Sequence, residues 1–316
     1  MTTAVPTDAE LAASLPGEFT SAHTEVNGIR LHHVTGGSGE PLILLGGWPQ
    51  TWWQFRKVLP PLARHYRVTA VDLRGMGGSD MPADGYDKKT MARDIHDLIA
   101  RLGYESAYVA GHDIGAGVGY HLAATFPASV RKLVTIDHGV PDPSWLTVPM
   151  LPATDDQAAA LADGRGSYVW WFAFNQLRGL PEHLLAGRFR LVIDWLYNHM
   201  LDVPDAVDDQ ARAVYAHAYE RPGAVAAGNR WYQTFRRDIA DLATYTPPTT
   251  PILTLTGEHS YDVLRAEMAD KGTDVRVVAI EGSGHYVPEE QPDRMVAELL
   301  AFFADTPALP DPAAAH

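Results

Sequence analysis

Apolar residues follow two alternating rhythms along the chain. Short, nearly continuous apolar runs recur at Pro41-Leu-Ile-Leu-Leu45, Tyr66-Arg-Val-Thr-Ala-Val71, Val130-Arg-Lys-Leu-Val-Thr-Ile136, Ile252-Leu-Thr-Leu-Thr256 and Val275-Arg-Val-Val-Ala-Ile280, and one more leads into Gly111. Runs of this length bounded by turn residues predict strands buried on both faces. Helical spacing lies between them. Trp52, Phe55 and Leu59 share one face of a stretch from Trp52 to Ala63. Met91, Ile95, Leu98, Ile99 and Leu102 share one face of Lys88–Leu102, with Gly103 as its stop. Met295, Val296, Leu299 and Phe303 do the same for a closing helix. This alternation predicts a mostly parallel sheet wrapped by helices, an α/β architecture. Ahead of it, Phe19–Val26 and Ile29–Val34 flank Asn27-Gly28 and predict a β-hairpin. Residues 1–17 predict a loose arm or a short packing helix.

From about Pro141 to Tyr245 the strand pattern disappears, and this segment holds five of the eight tryptophans (Trp145, Trp170, Trp171, Trp195, Trp231). It predicts a helical insertion facing an apolar cavity. Pro247, Pro248 and Pro251 mark the return to the sheet. The expected division is a core of residues 1–140 and 246–305, a helical cap over 141–245 and a flexible Pro/Ala-rich tail over 306–316. No internal repeat is visible.

Composition narrows the function classes. The chain has 316 residues, 46% of them hydrophobic and 20% charged, as an ordinary globular protein has. A formal net charge of −14 argues against nucleic acid or an anionic membrane as partner. The absence of Cys excludes disulfides and thiolate catalysis. The first twenty residues lack the basic start and apolar centre of a signal peptide, and no apolar run is long enough to span a bilayer, so a cytoplasmic protein is the default. The Gly-rich loop Asp72–Ser79 matches neither phosphate-binding pattern. Adjacent His32 and His33 would point to opposite faces of a strand, which disfavours a metal site; no metal and no cofactor are expected.

The chemistry concentrates at Gly111-His112-Asp113-Ile114-Gly115, a strand running through a Gly-framed turn into a small-residue helix start. The spacing fits the G-x-nucleophile-x-G elbow, with Asp113 where Ser is usual. A carboxylate suits displacement at saturated carbon, giving an alkyl ester that water must then cleave. Epoxides and alkyl halides are therefore the substrate classes to consider. The elbow pattern alone is common, but Asp113, a later acid and His285 occur in the order nucleophile, acid, histidine, each at the end of a predicted strand.

With these motifs, G-W-P after Leu45 and G-x-G-H near the C-terminus, the chain over roughly residues 20–305 resembles α/β-hydrolase fold proteins of the epoxide hydrolase and dehalogenase group. The resemblance implies that Asp113 is the nucleophile, His285 the base for the hydrolytic water, and the backbone N–H groups of Trp48 and Ile114 the oxyanion hole. Two acids fit its patterns: Asp137, favoured, and Glu258 after the cap. Trp231-Tyr232 resembles the cap segment that supplies a Tyr to protonate the alkoxide, so Tyr232 is the first choice, with Tyr215 and Tyr219 in reserve. Trp170-Trp171-Phe172 resembles a cap segment carrying Trp-His-Phe in some relatives, with Trp171 in place of the His. Trp171, Phe172, Tyr215 and Tyr219 are the expected pocket residues. One departure is Gly46-Gly47 where the family has His-Gly, which predicts a less rigid oxyanion loop.

The expected reaction is opening of a hydrophobic epoxide to a vicinal diol, with a homodimer left open. A dehalogenase is the first alternative. Against it, Ile114 and Trp48 stand where haloalkane dehalogenases carry halide donors, and Ile114 and Gly117 offer no cation for a substrate carboxylate. A non-catalytic member that holds a small molecule is the second alternative, opposed by the intact Asp113 and His285.

Overall fold

The computed structural model describes residues 5–138, 140–141, 143–147, 152, 154–162 and 169–304. The tail expected over 306–316 lies outside them, as do residues 1–4 of the N-terminal arm. Eight strands form one sheet: β1 (Phe19–Val26), β2 (Ile29–Gly36), β3 (Glu40–Leu45), β4 (Tyr66–Val71), β5 (Ala107–His112), β6 (Val130–Ile136), β7 (Ile252–Gly257) and β8 (Val275–Ile280). Their spatial order is β1-β2-β4-β3-β5-β6-β7-β8. The hairpin β1–β2 and the β2–β4 pair are antiparallel, and every other pair is parallel. All four residues Leu42–Leu45 of β3 are fully buried, as a central strand covered on both faces requires.

Register decides where the chemistry can sit. Leu45 pairs with both Val71 and Gly111, Ile136 with both His112 and Leu255, and Gly257 with Ile280. The carboxyl ends of β3, β5, β6 and β7 are therefore level. Whatever follows each strand gathers at one edge of the sheet, where ligands of open α/β sheets bind.

The helices differ from the sequence pattern at one place. The stretch from Trp52 to Ala63 is not one helix but a 3₁₀ turn at Trp52–Phe55 and a short helix at Leu59–Leu62. Pro60 and Pro61 have no N–H to donate and are tolerated only in a first turn, so the helix restarts there. Lys88–Arg101 is capped by Asp87, whose side chain accepts from the Thr90 N–H. The N-terminal arm contains a helix, Asp8–Ser14, started by a reciprocal Thr7–Glu10 capping box. His32 and His33 bond separately, His32 to Asp72 and Ser21, His33 to Thr24 and Thr35. Between β6 and β7 the described elements are all helical, from the turn Pro143–Thr147 to the helix Phe235–Leu242. No helix among the described residues is long and apolar enough to cross a membrane.

The join of β5 to the helix Ile114–Thr125 is packed main chain against main chain. A Cβ on Gly111 would lie 2.2 Å from Gly115 O, and one on Gly115 would lie 2.3 Å from Leu45 O. Both obstacles are main chain and cannot swing aside. Gly115→Ala is expected to lower stability by about 2 kcal/mol or more, from the cost of forcing an extra methyl into a packed core. Denaturant unfolding of the purified variant measures it, and an unchanged midpoint would contradict the packing described.

Candidate active site

Asp113 occupies the turn between β5 and the helix Ile114–Thr125 with φ 49° and ψ −122°. A side chain in that conformation costs about 1–3 kcal/mol and persists only where its surroundings hold it. Here they do. The Trp48 N–H donates to Asp113 Oδ2 at 2.8 Å, and the Ile114 N–H also bonds the carboxylate. Gly47 permits the first contact, since a Cβ there would fall 2.4 Å from Asp113 Cβ. Burial raises the Asp113 pKa, and the charges of His285 and Lys88 and the two N–H groups offset that only in part.

The loop that carries Trp48 has a support the sequence did not suggest. A Cβ on Gly46 would lie 2.4 Å from Gln54 Nε2, so the Gln54 amide fills the space a larger residue would take. Gln54 Oε1 lies 2.8 Å from His112 Nδ1, and His112 Nε2 lies 2.9 Å from the carbonyl of His285. Burial, with the His285 charge adding, pushes the His112 pKa down to about 3, so this imidazole is neutral. His112 stood inside the elbow motif, but its role requires Gln54, a distant residue that no local pattern links to it.

Asp137 follows β6 and, like Asp113, has a positive φ, 44°. That turn aims its carboxylate at two neighbours. Oδ2 is 2.8 Å from His285 Nδ1, while Oδ1 accepts from the Gly257 N–H at 2.7 Å and from the Ser260 hydroxyl. Burial opposes the Asp137 charge, but these bonds and the attraction of His285 outweigh it and hold the group below its ordinary range. For His285 burial alone would depress the pKa. The Asp137 hydrogen bond and charge, joined by the charges of Asp113 and Glu290, raise it instead. Glu258, the other candidate acid, is exposed and accepts from the Gly282 N–H at 3.2 Å. The structure brings Asp137, and not Glu258, to His285.

These groups open onto a cavity of about 1010 Å³ whose lining includes Trp48, Asp113, His138, Trp171, Phe172, Tyr232 and His285. Its aromatic wall is continuous: the Tyr232 ring lies 5.6 Å from Trp48 and 5.5 Å from Phe172, both edge-on. Trp171 hydrogen-bonds the Tyr232 hydroxyl, and burial together with the Asp113 charge keeps that phenol protonated. Among the described residues lining the cavity none is Lys or Arg.

The two reserve tyrosines fall elsewhere. Tyr219 stacks on Phe189 at 4.0 Å and does not line the cavity, although its buried hydroxyl has no hydrogen-bond partner among the described residues and feels the Asp113 charge. Tyr215 is a clear correction. Its hydroxyl donates to Glu289 Oε1 at 2.6 Å, and Arg56 Nη1 donates to the same oxygen at 2.5 Å, so Tyr215 satisfies a buried ion pair rather than facing substrate. Beside it, Lys57 Nζ donates to the carbonyls of Ala206 and Glu289, and Glu290 accepts from the N–H groups of Asp202, Val203 and Tyr286. Outside the cavity lining, Asp8, His32 and Asp72 bring possible metal-ligand atoms within 4.8 Å of one another. Asp72 already accepts from the Trp52 and Gly78 N–H groups and contacts His32, and the Asp8 carboxylate accepts from Trp52 Nε1.

The model of the α/β hydrolase fold family matches residues 40–197. The soluble epoxide hydrolase of Corynebacterium sp. (strain C12) is 33% identical over 91% of this chain and 98% of that protein. The fluoroacetate dehalogenase of a Burkholderia species is 28% identical over 89% of this chain and 92% of that protein. The solved structure of the epoxide hydrolase CorEH without ligand superposes with a TM-score of 0.77 at 32% identity, covering 91% of this chain and 99% of that one.

The Asp137–His285 contact makes a signed prediction. Asp137→Asn removes the negative charge that favours the imidazolium, so the His285 pKa falls and the acid limb of the pH–rate profile moves to lower pH. The rate should drop by about 10² to 10⁴, because the amide no longer holds the productive tautomer. Steady-state rates from pH 5 to 9 check both effects, and a limb moving to higher pH would refute the assignment.

Proposed function

The chain belongs to the α/β-hydrolase fold family, and from that premise we propose that it is an epoxide hydrolase working through an ester on Asp113. The observation that carries the reading is the strained, buried Asp113 carboxylate, held by two backbone N–H groups and facing an aromatic cavity beside the Asp137–His285 pair. In the first step a carboxylate oxygen attacks a ring carbon, the ring C–O bond breaks, and the alkoxide takes the Tyr232 proton. In the second, His285 accepts a proton from water, the hydroxide adds to Asp113 Cγ, and the Trp48 and Ile114 N–H groups stabilise the oxyanion. Collapse breaks the Cγ–O bond to the substrate, the His285 proton passes to the departing oxygen, the acid proton left on Asp113 returns to the Tyr232 phenolate, and the carboxylate is restored as a vicinal diol leaves. The helices between β6 and β7 act as the cap that supplies Trp171, Phe172 and Tyr232.

The substrate class follows from the lining. An aromatic cavity without Lys or Arg among its described residues suits an uncharged apolar or aryl epoxide rather than a carboxylate-bearing halide. The dehalogenase relative keeps alkyl halides in the panel, since they would alkylate the same carboxylate.

His285→Gln should form the ester and fail to hydrolyse it. Incubated with matched epoxides and alkyl halides, it is expected to gain the whole mass of an epoxide on the peptide containing Asp113. A halide-derived adduct alone would make the protein a dehalogenase, and no adduct from a folded variant would refute covalent catalysis. Tyr232→Phe should slow epoxide opening by about 10²-fold, the low end of what a positioned acid contributes, while leaving its hydrolysis of a preformed ester within a few-fold of the parent. Rapid-quench mass spectrometry separates the two steps.

A further inference from the structure

One polar group at the cavity floor has no part in the steps above. His138 follows Asp137, is only 7% exposed, and lines the cavity with its ring edge-on to Trp145 at 5.2 Å. Its Nδ1 lies 3.6 Å from Asp113 Oδ1, the oxygen that the Trp48 N–H does not hold. Its Nε2 is buried with no hydrogen-bond partner among the described residues. That nitrogen faces the helix Ile114–Thr125 at Gly117, where an added Cβ would come within 3.7 Å of it and within 3.6 Å of Lys88 Cγ. The Lys88 ammonium is turned elsewhere, to Asp238, Thr234 and the carbonyl of Trp231.

Burial, with the nearby charges of His285 and Lys88, pushes the His138 pKa down to about 3, so the ring is neutral and carries one N–H. On Nε2 that N–H would be a donor without a partner among the described residues, while a bare Nδ1 would turn its lone pair on a carboxylate oxygen. On Nδ1 it meets the acceptor, and only a lone pair is left at Nε2. The asymmetry of burying an unpaired donor beside an available acceptor selects the Nδ1–H form.

We propose that His138 donates from Nδ1 to Asp113 Oδ1 and keeps that bond as the ester is cleaved, acting directly on the oxygen that departs with the diol. The proposal rests on the ester chemistry proposed above. At 3.6 Å the contact is longer than a formed hydrogen bond, and on this proposal it tightens as substrate binds. Oδ1, which the Trp48 N–H does not hold, is the oxygen assigned to attack, and so becomes the bridging oxygen of the ester. When the tetrahedral intermediate collapses, the Cγ–Oδ1 bond breaks and its electron pair goes to Oδ1. The proton that His285 took from water is delivered to that oxygen; His138 transfers none and attracts the growing charge. In the first half-reaction the same bond draws charge from the attacking oxygen, so losing it does not slow alkylation. The sign of its effect therefore differs between the two steps.

The test compares His138→Leu, which has no donor, with His138→Asn, whose amide N–H can take the place of Nδ1–H. Ester formation is timed by quenched intact mass in the His285→Gln background, and ester decay in the background with His285 intact. His138→Leu should form ester at no less than about one third of the parent rate and hydrolyse it about tenfold more slowly or worse, so that ester accumulates at steady state; one backbone donor at an oxyanion is worth about 10²-fold or more, and this contact is longer. His138→Asn should restore decay to within about threefold. Equal loss in both half-reactions for both variants, or unchanged decay in His138→Leu, overturns the role. If His138→Leu does not fold, His138→Gln, with its amide at the Nε2 position, serves as the variant lacking a donor at Oδ1. Failure of His285→Gln itself to form ester with any epoxide or halide would remove the ester chemistry and this role together, a result distinct from the others.

Discussion

The cavity floor depends on how closely three stretches of main chain approach one another beneath Asp113. Gly111 and Gly115 let the end of β5 and the start of its helix meet with no side chain between them, Gly115 meets β3 at Leu45, and Gly47 meets Asp113 itself. Each approach is shorter than a Cβ allows. Their sum is a carboxylate in a conformation that side chains avoid, with two N–H groups already aimed at it. The donors that would stabilise an oxyanion are thus in position before any charge develops, which is the condition under which such donors contribute most. The backbone strain is stored where it is used.

Around that floor the same burial acts in opposite directions on two aspartates. It raises Asp113, whose partners are few, while Asp137, also buried, stays below its ordinary range because His285, Ser260 and Gly257 satisfy it. A group easily relieved of its charge suits a nucleophile about to become a neutral ester, and a group that keeps its charge suits the orientation of an imidazole. Pairs of acids pushed apart by their surroundings mark this division of roles. On the proposed pathway alkylation would also remove the Asp113 charge that helps to raise His285, making the histidine a readier proton acceptor at low pH once the ester has formed.

Most of the architecture was legible because buried strands write themselves as apolar runs and because strand ends in such sheets carry the chemistry. Tyr66–Val71, Val130–Ile136 and Val275–Ile280 fall where the pattern put them. The helix expected from Trp52 to Ala63 failed where helical periodicity and proline chemistry conflict, and proline won. At the site, Asp113 and His285 stood out by position, while the choice between Asp137 and Glu258 did not, since both end strands. What separates them is the left-handed turn at Asp137, a conformation no side chain announces. Tyr215 shows the other limit. A tyrosine on a helical insertion reads as a pocket residue until its partner Glu289, far along the chain, is brought beside it. Gln54 and His112 were hidden for the same reason, and His138 because a neutral histidine leaves no trace in charge or pattern.

The ion pair that claims Tyr215 draws on three separate parts of the chain. Arg56 comes from the turn after β3, Glu289 from the segment after His285, and Tyr215 from the helices between β6 and β7. A buried pair of this kind is costly to leave half-made. Those helices hold Trp171, Phe172 and Tyr232 of the cavity, and they are the block whose exchange between relatives would bring a new pocket. The block is not freely portable, however. Its fit depends on residues outside it, Arg56 and Glu289 for Tyr215 and Lys88 for Asp238, so inheritance of a new pocket is tied to residues that never touch what the pocket binds.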